Sequence, residues 1–193
     1  MKKRNLIAVI VIAAMLLPTM TACGLLGNSA SKDDGDANQE ESFQEIVSSE
    51  SGLAVSFPKS WRNAEGELND VASIEMARES KEQYFIVIED AAADFTDDME
   101  LQAFGDIVLG NMQGELVDAK TTEWADITVG DGTPAKQIEL RGVINEVLKV
   151  TYLITVFEGA DTYYQGICWS LDSTYAAGKP VFDEILASVK LPA

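Results

Sequence analysis

The feature that most constrains the fold is a long series of alternating apolar and polar residues in the second half of the chain. Residues 137–141, 150–156 and 163–169 each show this alternation, and short polar breaks separate them. A period of two residues is the periodicity of a β-strand, so the three runs predict an antiparallel meander. Because Leu153 and Phe157 add apolar side chains on the opposite side of the middle run, we expect a sheet covered on both faces.

Three further runs ahead of the meander also predict strands. They are Leu53–Phe57, Val71–Ala77 and Tyr84–Glu89, and the last is nearly all apolar, which suits the centre of a sheet. Leu116–Val129 looks extended but has no clear pattern. Gly130–Pro134 is rich in the residues that favour a turn.

Two stretches have the spacing of amphipathic helices. The first has its apolar stripe at Leu101, Phe104, Val108 and Met112. The second has its stripe at Phe182, Ile185, Leu186 and Val189. We expect Thr96 or Asp97 to cap the first helix and Pro180 to take the first position of the second. These elements predict one domain of the α+β class, an antiparallel β-sheet covered by helices.

The N-terminal segment has the layout of an export signal. Three positive residues, Lys2 to Arg4, precede the uncharged run Leu6–Met20, which is short for a membrane span of about 20 residues. Small residues then lead to Cys23. The arrangement resembles a bacterial lipoprotein signal, whose lipobox places a hydrophobic residue three positions before a cysteine. The alternative is an uncleaved N-terminal anchor helix with an incidental cysteine.

The resemblance implies a specific processing and location. Residues 1–22 would be removed as a signal peptide, and Cys23 would become the first residue, carrying a diacylglyceryl group and fatty acids such as palmitate. Two acyl chains suffice for stable anchoring. We therefore expect the membrane itself as a partner, through a lipid anchor on the extracytoplasmic face of the cell membrane.

The segment after Cys23 predicts a tether. Residues 23–51 are acidic and hold too few apolar side chains to build a core. As a flexible coil this segment would reach roughly 30 Å on average. The predicted organisation is therefore a signal peptide at 1–22, a lipidated Cys23 with an acidic tether at 23–51, and a globular domain at 52–193.

The charge of the chain excludes some classes of partner. The chain has 14 Lys and Arg against 32 Asp and Glu, and removing Lys2, Lys3 and Arg4 with the signal leaves 11 against 32, a net charge of −21. Such a surface repels nucleic-acid phosphates and anionic lipid headgroups. We therefore expect no nucleic-acid partner.

The residue inventory argues against an enzyme. The chain has no histidine, which removes Ser-His-Asp and Cys-His nucleophile arrangements and imidazole metal ligands. Cys168 is the remaining cysteine once Cys23 carries lipid, and its apolar surroundings favour a small core residue over a reactive thiol. We expect Trp169 in the core beside it. No cofactor and no catalytic residue are predicted.

Two acidic stretches are candidates for calcium. Asp34, Asp36, Asn38 and Glu45 occupy positions 1, 3, 5 and 12 of an EF-hand loop, but Gln39 stands where the loop needs glycine. We therefore interpret that stretch as a solvated acidic linker. The second stretch supplies the weak metal candidates Asp94, Asp97, Asp98 and Glu100. Its simpler interpretation is the acidic start of a helix.

The order of three motifs resembles the PsbP-like family. The first motif is Gly52-Leu53-Ala54-Val55-Ser56-Phe57-Pro58 with Trp61, the second is Gly132 with Pro134 and Ala135, and the third is Phe182, Ile185, Ser188 and Val189. The resemblance spans residues 52–191. It implies a PsbP-like α/β/α sandwich and an accessory subunit that docks on a larger assembly. The acidic surface gives no reason to carry over a photosystem partner, and no binding residue is carried over.

Together these features predict a non-enzymatic accessory or binding lipoprotein of the cell envelope, with an envelope protein as its partner. The alternative is a lipoprotein that binds a small ligand or a divalent cation such as calcium, which the density of carboxylates motivates. A hydrolase is a third possibility, and without histidine it would need paired carboxylates or a metal.

Overall fold

The computed structural model of the protein describes residues 42–96 and 99–192, and their strands form one large antiparallel sheet beside a two-stranded ribbon. The strands are β1 (Phe43–Val47), β2 (Ala54–Pro58), β3 (Arg62–Asn63), β4 (Ile74–Arg78), β5 (Gln83–Ala91), β6 (Val117–Thr121), β7 (Ala125–Val129), β8 (Thr133–Ile144), β9 (Leu148–Glu158) and β10 (Thr162–Leu171). The helices are α1 (Leu101–Gly114) and α2 (Asp172–Ala187), and short 3-10 turns lie at Glu79–Lys81 and Ala92–Asp94. Within the described ranges, no helix is long and apolar enough to cross a membrane.

The large sheet has the strand order β3-β4-β5-β10-β9-β8-β6, and β7 also pairs with β8. The predicted meander is confirmed as β8, β9 and β10, in which Ile154 lies opposite both Ile138 and Ile167. The predicted strands before it correspond to β2, β4 and β5. β5 pairs with β10, which places its apolar run inside the sheet, as its composition predicts.

The two faces of the sheet bury separate cores. On the face covered by α2 and β2, Leu153 and Phe157 of β9 pack with Phe57, Trp61 and Phe182. On the face covered by α1, the alternate residues of β9 pack against the apolar stripe of the helix. This second core includes Phe104, Val108, Met112, Val150, Tyr152, Ile154 and Val156. The chain is therefore an antiparallel sheet between helices, which confirms the expected α+β class.

The path of β1 and β2 fixes where the chain enters the fold. Ala54 forms a backbone bridge with Lys190, and the amide of Ser56 donates to the Ser188 hydroxyl at 2.8 Å. β2 therefore runs from the end of α2 back towards its start. Because β1 is antiparallel to β2, Ser42 points towards the end of the molecule at which α2 begins.

The described fold begins before the predicted domain boundary at Gly52. Phe43–Val47 forms β1, because Ile46 packs against the α2-side core and the carboxylate of Glu45 pairs with Lys190 at 2.5 Å. The apolar spacing in this short segment is hidden among acidic residues, so composition alone assigned it to the tether.

The predicted start of the last helix is wrong. α2 begins at Asp172, directly after β10, and Pro180 lies inside it. Tyr175 and Gly178 extend the buried stripe by two turns, and the Cβ of any larger residue at 178 would meet Gln83. Proline removes the hydrogen bond to the carbonyl of Ala176, which is exposed and can bind water instead.

The expected helix cap and the expected place of Trp169 are also wrong. α1 begins after Glu100, so Thr96 lies outside it, and Asp97 is not among the described residues. Trp169 points to the face opposite Cys168, because neighbouring residues of a strand alternate. Its ring is half-buried and stacks on Tyr84, with a centroid distance of 5.3 Å.

A buried carboxylate holds the loop that covers this part of the α1 face. Glu75 is 5% exposed and accepts backbone N–H groups from Gly66, Leu68 and Asn69 at 2.8, 2.6 and 3.2 Å. The loop thereby places Leu68 against a small cluster of Ala64, Ala77 and Tyr84, on which Trp169 also packs.

Candidate functional site

The acidic residues predicted as metal candidates do not form a site in the described part of the chain. Asp94 lies in an exposed 3-10 turn and Glu100 is the exposed residue before α1, while Asp97 and Asp98 lie outside the described residues. Among residues 42–96 and 99–192, no group of three His, Cys, Asp or Glu side chains is placed to hold a metal ion.

The N-terminal candidates lie mostly outside the described ranges. These are Cys23, Asp34, Asp36 and Asn38. Glu45, the last position of the EF-hand-like stretch, lies in β1 and pairs with Lys190.

Cys168 is a core residue. Its side chain is fully buried between the sheet and α2, and burial raises the pKa of its thiol well above the ordinary value. A thiol that stays protonated and out of contact with solvent is a poor nucleophile. The sequence-based expectation of an inert cysteine is therefore confirmed.

A groove of about 700 Å³ lies at the end of the sheet next to the start of α2. The helix does not cover the sheet there. Strands β6, β8 and β9 form its floor, and the first residue of α2 closes one side. Its lining residues are Asp118, Ala119, Lys120, Arg141, Gly142, Val143, Lys149, Val150 and Asp172.

The pairing of the strands brings three cations into this groove. Lys120 of β6 lies opposite Arg141 of β8, and Lys149 of β9 lies opposite Val143, two positions further along. All three side chains belong to the face that α2 covers elsewhere. Neighbours across a ladder are about 5 Å apart and diagonal neighbours about 7–8 Å, so the cations form one patch.

The three cations differ in how firmly they are held. The Arg141 guanidinium lies 3.2 Å from Glu139 and 3.9 Å from Asp172, whose carboxylate also accepts a hydrogen bond from Thr151. Lys120 and Lys149 are exposed and have no ion pair within the described residues. The groove therefore presents two lysines available to an anionic group, beside an arginine fixed by carboxylates.

The hairpin between β8 and β9 extends past the groove and ends in apolar side chains. Val147 is 82% exposed, Leu148 is 40% exposed, and Val117 on the adjacent β6 is 54% exposed. Asn145 and Glu146 turn the chain with φ angles of 50° and 63°. Two consecutive residues with positive φ are the usual geometry of a tight β-hairpin turn, and the amide of Val147 closes this one by donating to the Ile144 carbonyl. We call Val147, Leu148 and Val117 the apolar tip.

A buried tyrosine near the groove cannot act as a general base. Tyr175 of α2 is 3% exposed, and both its burial and the negative charge of Glu139 raise the pKa of its hydroxyl. The phenol therefore stays protonated at neutral pH. The groove combines charged and apolar side chains, an arrangement suited to binding.

No sequence motif marks this site. Lys120, Arg141 and Lys149 stand far apart in the chain, and only the register of three strands places them together. The one available signal was Val147 next to Leu148, two apolar residues directly after the polar break between the first two runs of the meander.

The fold is that of PsbP-like proteins. In sequence, no family model and no curated protein matches the chain. Among solved structures, it is similar to the cyanobacterial PsbP (CyanoP) of Synechocystis, with a TM-score of 0.57 and 14% identity over 89% of this chain and 98% of that one. At such identity the likeness shows the fold alone.

Two further solved structures share this fold. The Ran-binding protein Mog1p of Saccharomyces cerevisiae has a TM-score of 0.53 and 12% identity, over 78% of this chain and 96% of that one. LpqN of Mycobacterium tuberculosis, a protein involved in cell envelope biogenesis, has a TM-score of 0.51 and 12% identity, over 78% of this chain and 91% of that one.

Proposed function

We propose that this protein is a lipoprotein, held by a lipid on Cys23 at the extracytoplasmic face of the cell membrane, and that its domain is a non-enzymatic accessory or binding protein of the envelope. The observation that carries the proposal is the exposed groove with its unpaired lysines beside the apolar tip. Binding surfaces combine apolar contacts with a charged rim in this way. The export signal and the envelope role of LpqN, which shares the fold, support the location.

The absence of catalytic groups supports a binding role. The chain has no histidine, Cys168 is buried, and the described residues hold no cluster of metal-ligating side chains. Hydrolysis would need paired carboxylates or a metal, since no imidazole is present to move protons.

Replacing the cysteine tests the anchor. Cys23→Ser should leave an unprocessed chain without lipid, whereas Cys168→Ala, the matched control at the other cysteine, should be acylated like the native protein. Mass spectrometry of the purified native protein should show a diacylglyceryl group at residue 23. An intact Met1 or an unmodified Cys23 in the native protein would refute the anchor.

Site-specific crosslinking tests the accessory role. A photo-reactive amino acid at Val117 is placed beside the groove, and the same amino acid at Val71, exposed on the loop after β3, is its control. In intact cells, Val117 should capture one recurrent envelope component that Val71 does not. The same random neighbours at both positions would count against the proposal.

A small anionic ligand is the second candidate, because the volume of the groove lies in the range of ligand sites, about 300–1,000 Å³. Saturating ligand would raise the melting temperature with the logarithm of its concentration. Calcium is tested in the same way. An unchanged melting temperature at millimolar calcium would remove the cation-binding alternative.

A further inference from the structure

We propose that the end of the molecule carrying the groove and the apolar tip docks on a surface of anionic phospholipid headgroups. In this arrangement Val147 enters the interface while Lys120 and Lys149 contact lipid phosphates. The inference rests on the proposed function in one respect, since it takes a membrane to be within reach of the domain.

Two exposed lysines give this end of the molecule a local positive charge. Lys120 and Lys149 are exposed and unpaired among the described residues, and they flank the hairpin that projects from the sheet. By contrast, Lys136, Lys179 and Lys190 each pair with a carboxylate. Lys59 and Lys81 are exposed and unpaired within the described ranges as well, so what sets the groove apart is that strand pairing brings two unpaired lysines together beside it. Anionic phosphates complement such a pair of cations.

The apolar tip lies beside those cations. Val147 exposes 82% of its surface at the extreme of the hairpin, and Leu148 and Val117 are exposed behind it. Segments that lie at a membrane surface combine apolar side chains that enter the headgroup region with lysines that stay at the level of the phosphates. Val147 and Lys149 have this arrangement within three residues.

The described fold begins at Ser42, on the side of the molecule that faces the groove. Ser42 points towards the end of the molecule at which α2 starts, as established by the pairing of β2 with Lys190. The groove and the hairpin extend from that same end. A domain attached to a membrane through residues 23–41 can therefore turn this end towards the lipid without reversing the direction of the chain.

The net negative charge of the chain opposes docking, but most of the carboxylates lie too far from the lipid to contribute. The Debye length is about 8 Å at physiological salt, so most carboxylates on the far side are screened from the lipid while the contacting lysines are not. Glu146 at the tip and Asp118 in the groove lining are exceptions, because both exposed carboxylates lie at the docking end. This predicts that Glu146→Gln strengthens docking, a gain that a purely structural role of the hairpin would not produce.

The experiment places a fluorophore on the tip of the full mature chain. Val147→Cys supplies the labelling thiol, and Val71→Cys, an exposed valine on the distant loop, is the matched control. Cys168 is buried, so it stays unlabelled in the folded protein, and Cys23 is blocked when it carries lipid. If the chain lacks the lipid, Cys23→Ser in both variants keeps the label on position 147 or 71. The protein is mixed with vesicles of phosphatidylglycerol and phosphatidylcholine in equal parts, some lipids carrying a nitroxide quencher near the headgroup.

We expect strong quenching at position 147 and little at position 71. Each lysine near an anionic surface changes the docked-to-undocked ratio about fivefold, so replacing Lys120 and Lys149 by Gln should lower this ratio about 25-fold. Glu146→Gln should raise it about fivefold. High salt or pure phosphatidylcholine vesicles should reduce quenching at 147 towards the level at 71.

Equal quenching at the two positions would overturn the inference and leave the face to a protein partner. Quenching at 147 that ignores salt, lipid charge and the lysine substitutions would overturn it as well. Flotation of the same samples in high salt, which releases a chain held by docking alone, reports the anchor separately. A chain that fails to float refutes lipidation, while quenching at 147 with excess vesicles still decides the docking.

Discussion

Removal of the Glu75 carboxylate should destabilise the fold more than any change to an exposed acidic residue. Glu75 is 5% exposed and serves three backbone donors of the loop at 66–69. In Glu75→Ala these donors lose their acceptor. Asn69 is buried and Leu68 half-buried, whereas Gly66 is exposed and can bind water instead.

The expected loss follows from those exposures. Each buried N–H group left without a partner costs about 1–3 kcal/mol, and two of the three donors are shielded. Part of this is offset because the variant no longer buries a charge. We expect Glu75→Ala to lower the free energy of unfolding by about 3 kcal/mol, equivalent to a fall of about 6–12 °C in Tm for a chain of this size.

The conservative variant gives a finer test. In Glu75→Gln the remaining oxygen can face Leu68 and Asn69, which share one carboxylate oxygen, and the amide group then faces the exposed Gly66. We expect a loss of about 1 kcal/mol.

Urea unfolding followed by circular dichroism measures both losses, and tryptophan fluorescence reports the loop through Trp169. Glu158→Ala, at the exposed end of β9, is the control and should change stability by less than about 0.5 kcal/mol. If Glu75→Ala falls within 1 kcal/mol of this control, the loop does not depend on the carboxylate, and the reasoning fails.

Three further predictions concern the rest of the fold. Gly130→Ala should cost more than about 3 kcal/mol, because its φ is 49° and an added Cβ would lie 1.8 Å from the Val189 carbonyl; Gly66→Ala, with positive φ but open space, should cost about 1 kcal/mol in the same thermal melts. Burial raises the pKa of Asp90 above its ordinary value of 3.8, so the native state gains stability as the pH falls through that raised pKa. The stabilising effect of Asp90→Asn should therefore be largest near neutral pH and shrink towards pH 3.8, and a difference independent of pH would contradict this. Because burial raises the pKa of Cys168, a thiol reagent should label that residue only after unfolding, and rapid labelling of the native protein would show that the core is open.

The periodic parts of the fold were predictable from the sequence because each signal is local. Alternation in β8, β9 and β10 depends on one buried face per strand, and the stripe of α1 depends on one helix face. The start of α2 was not predictable, since Pro180 is the strongest local signal and only packing against Gln83 and the sheet favours helix before it. β1 was missed for a related reason, because its stability comes from β2 and Lys190.

The groove was beyond sequence analysis for a different physical reason. Lys120, Arg141 and Lys149 come together through the pairing of three strands, and a shift of one residue in any of them would move its side chain to the other face. Register depends on the whole sheet. The calcium candidates include Asp97 and Asp98, which lie outside the described residues, so that part of the sequence analysis stays a prediction.

The way β1 joins the fold determines how the domain would respond to mechanical load. Phe43 pairs with Pro58, so a pull on Ser42 and the resistance of the core act at the same end of the ribbon. The backbone hydrogen bonds between β1 and β2 would then break one after another, starting at Phe43, instead of carrying the load together in shear. β1 would separate from β2 at low force and lengthen the tether by several residues, while the large sheet stays folded.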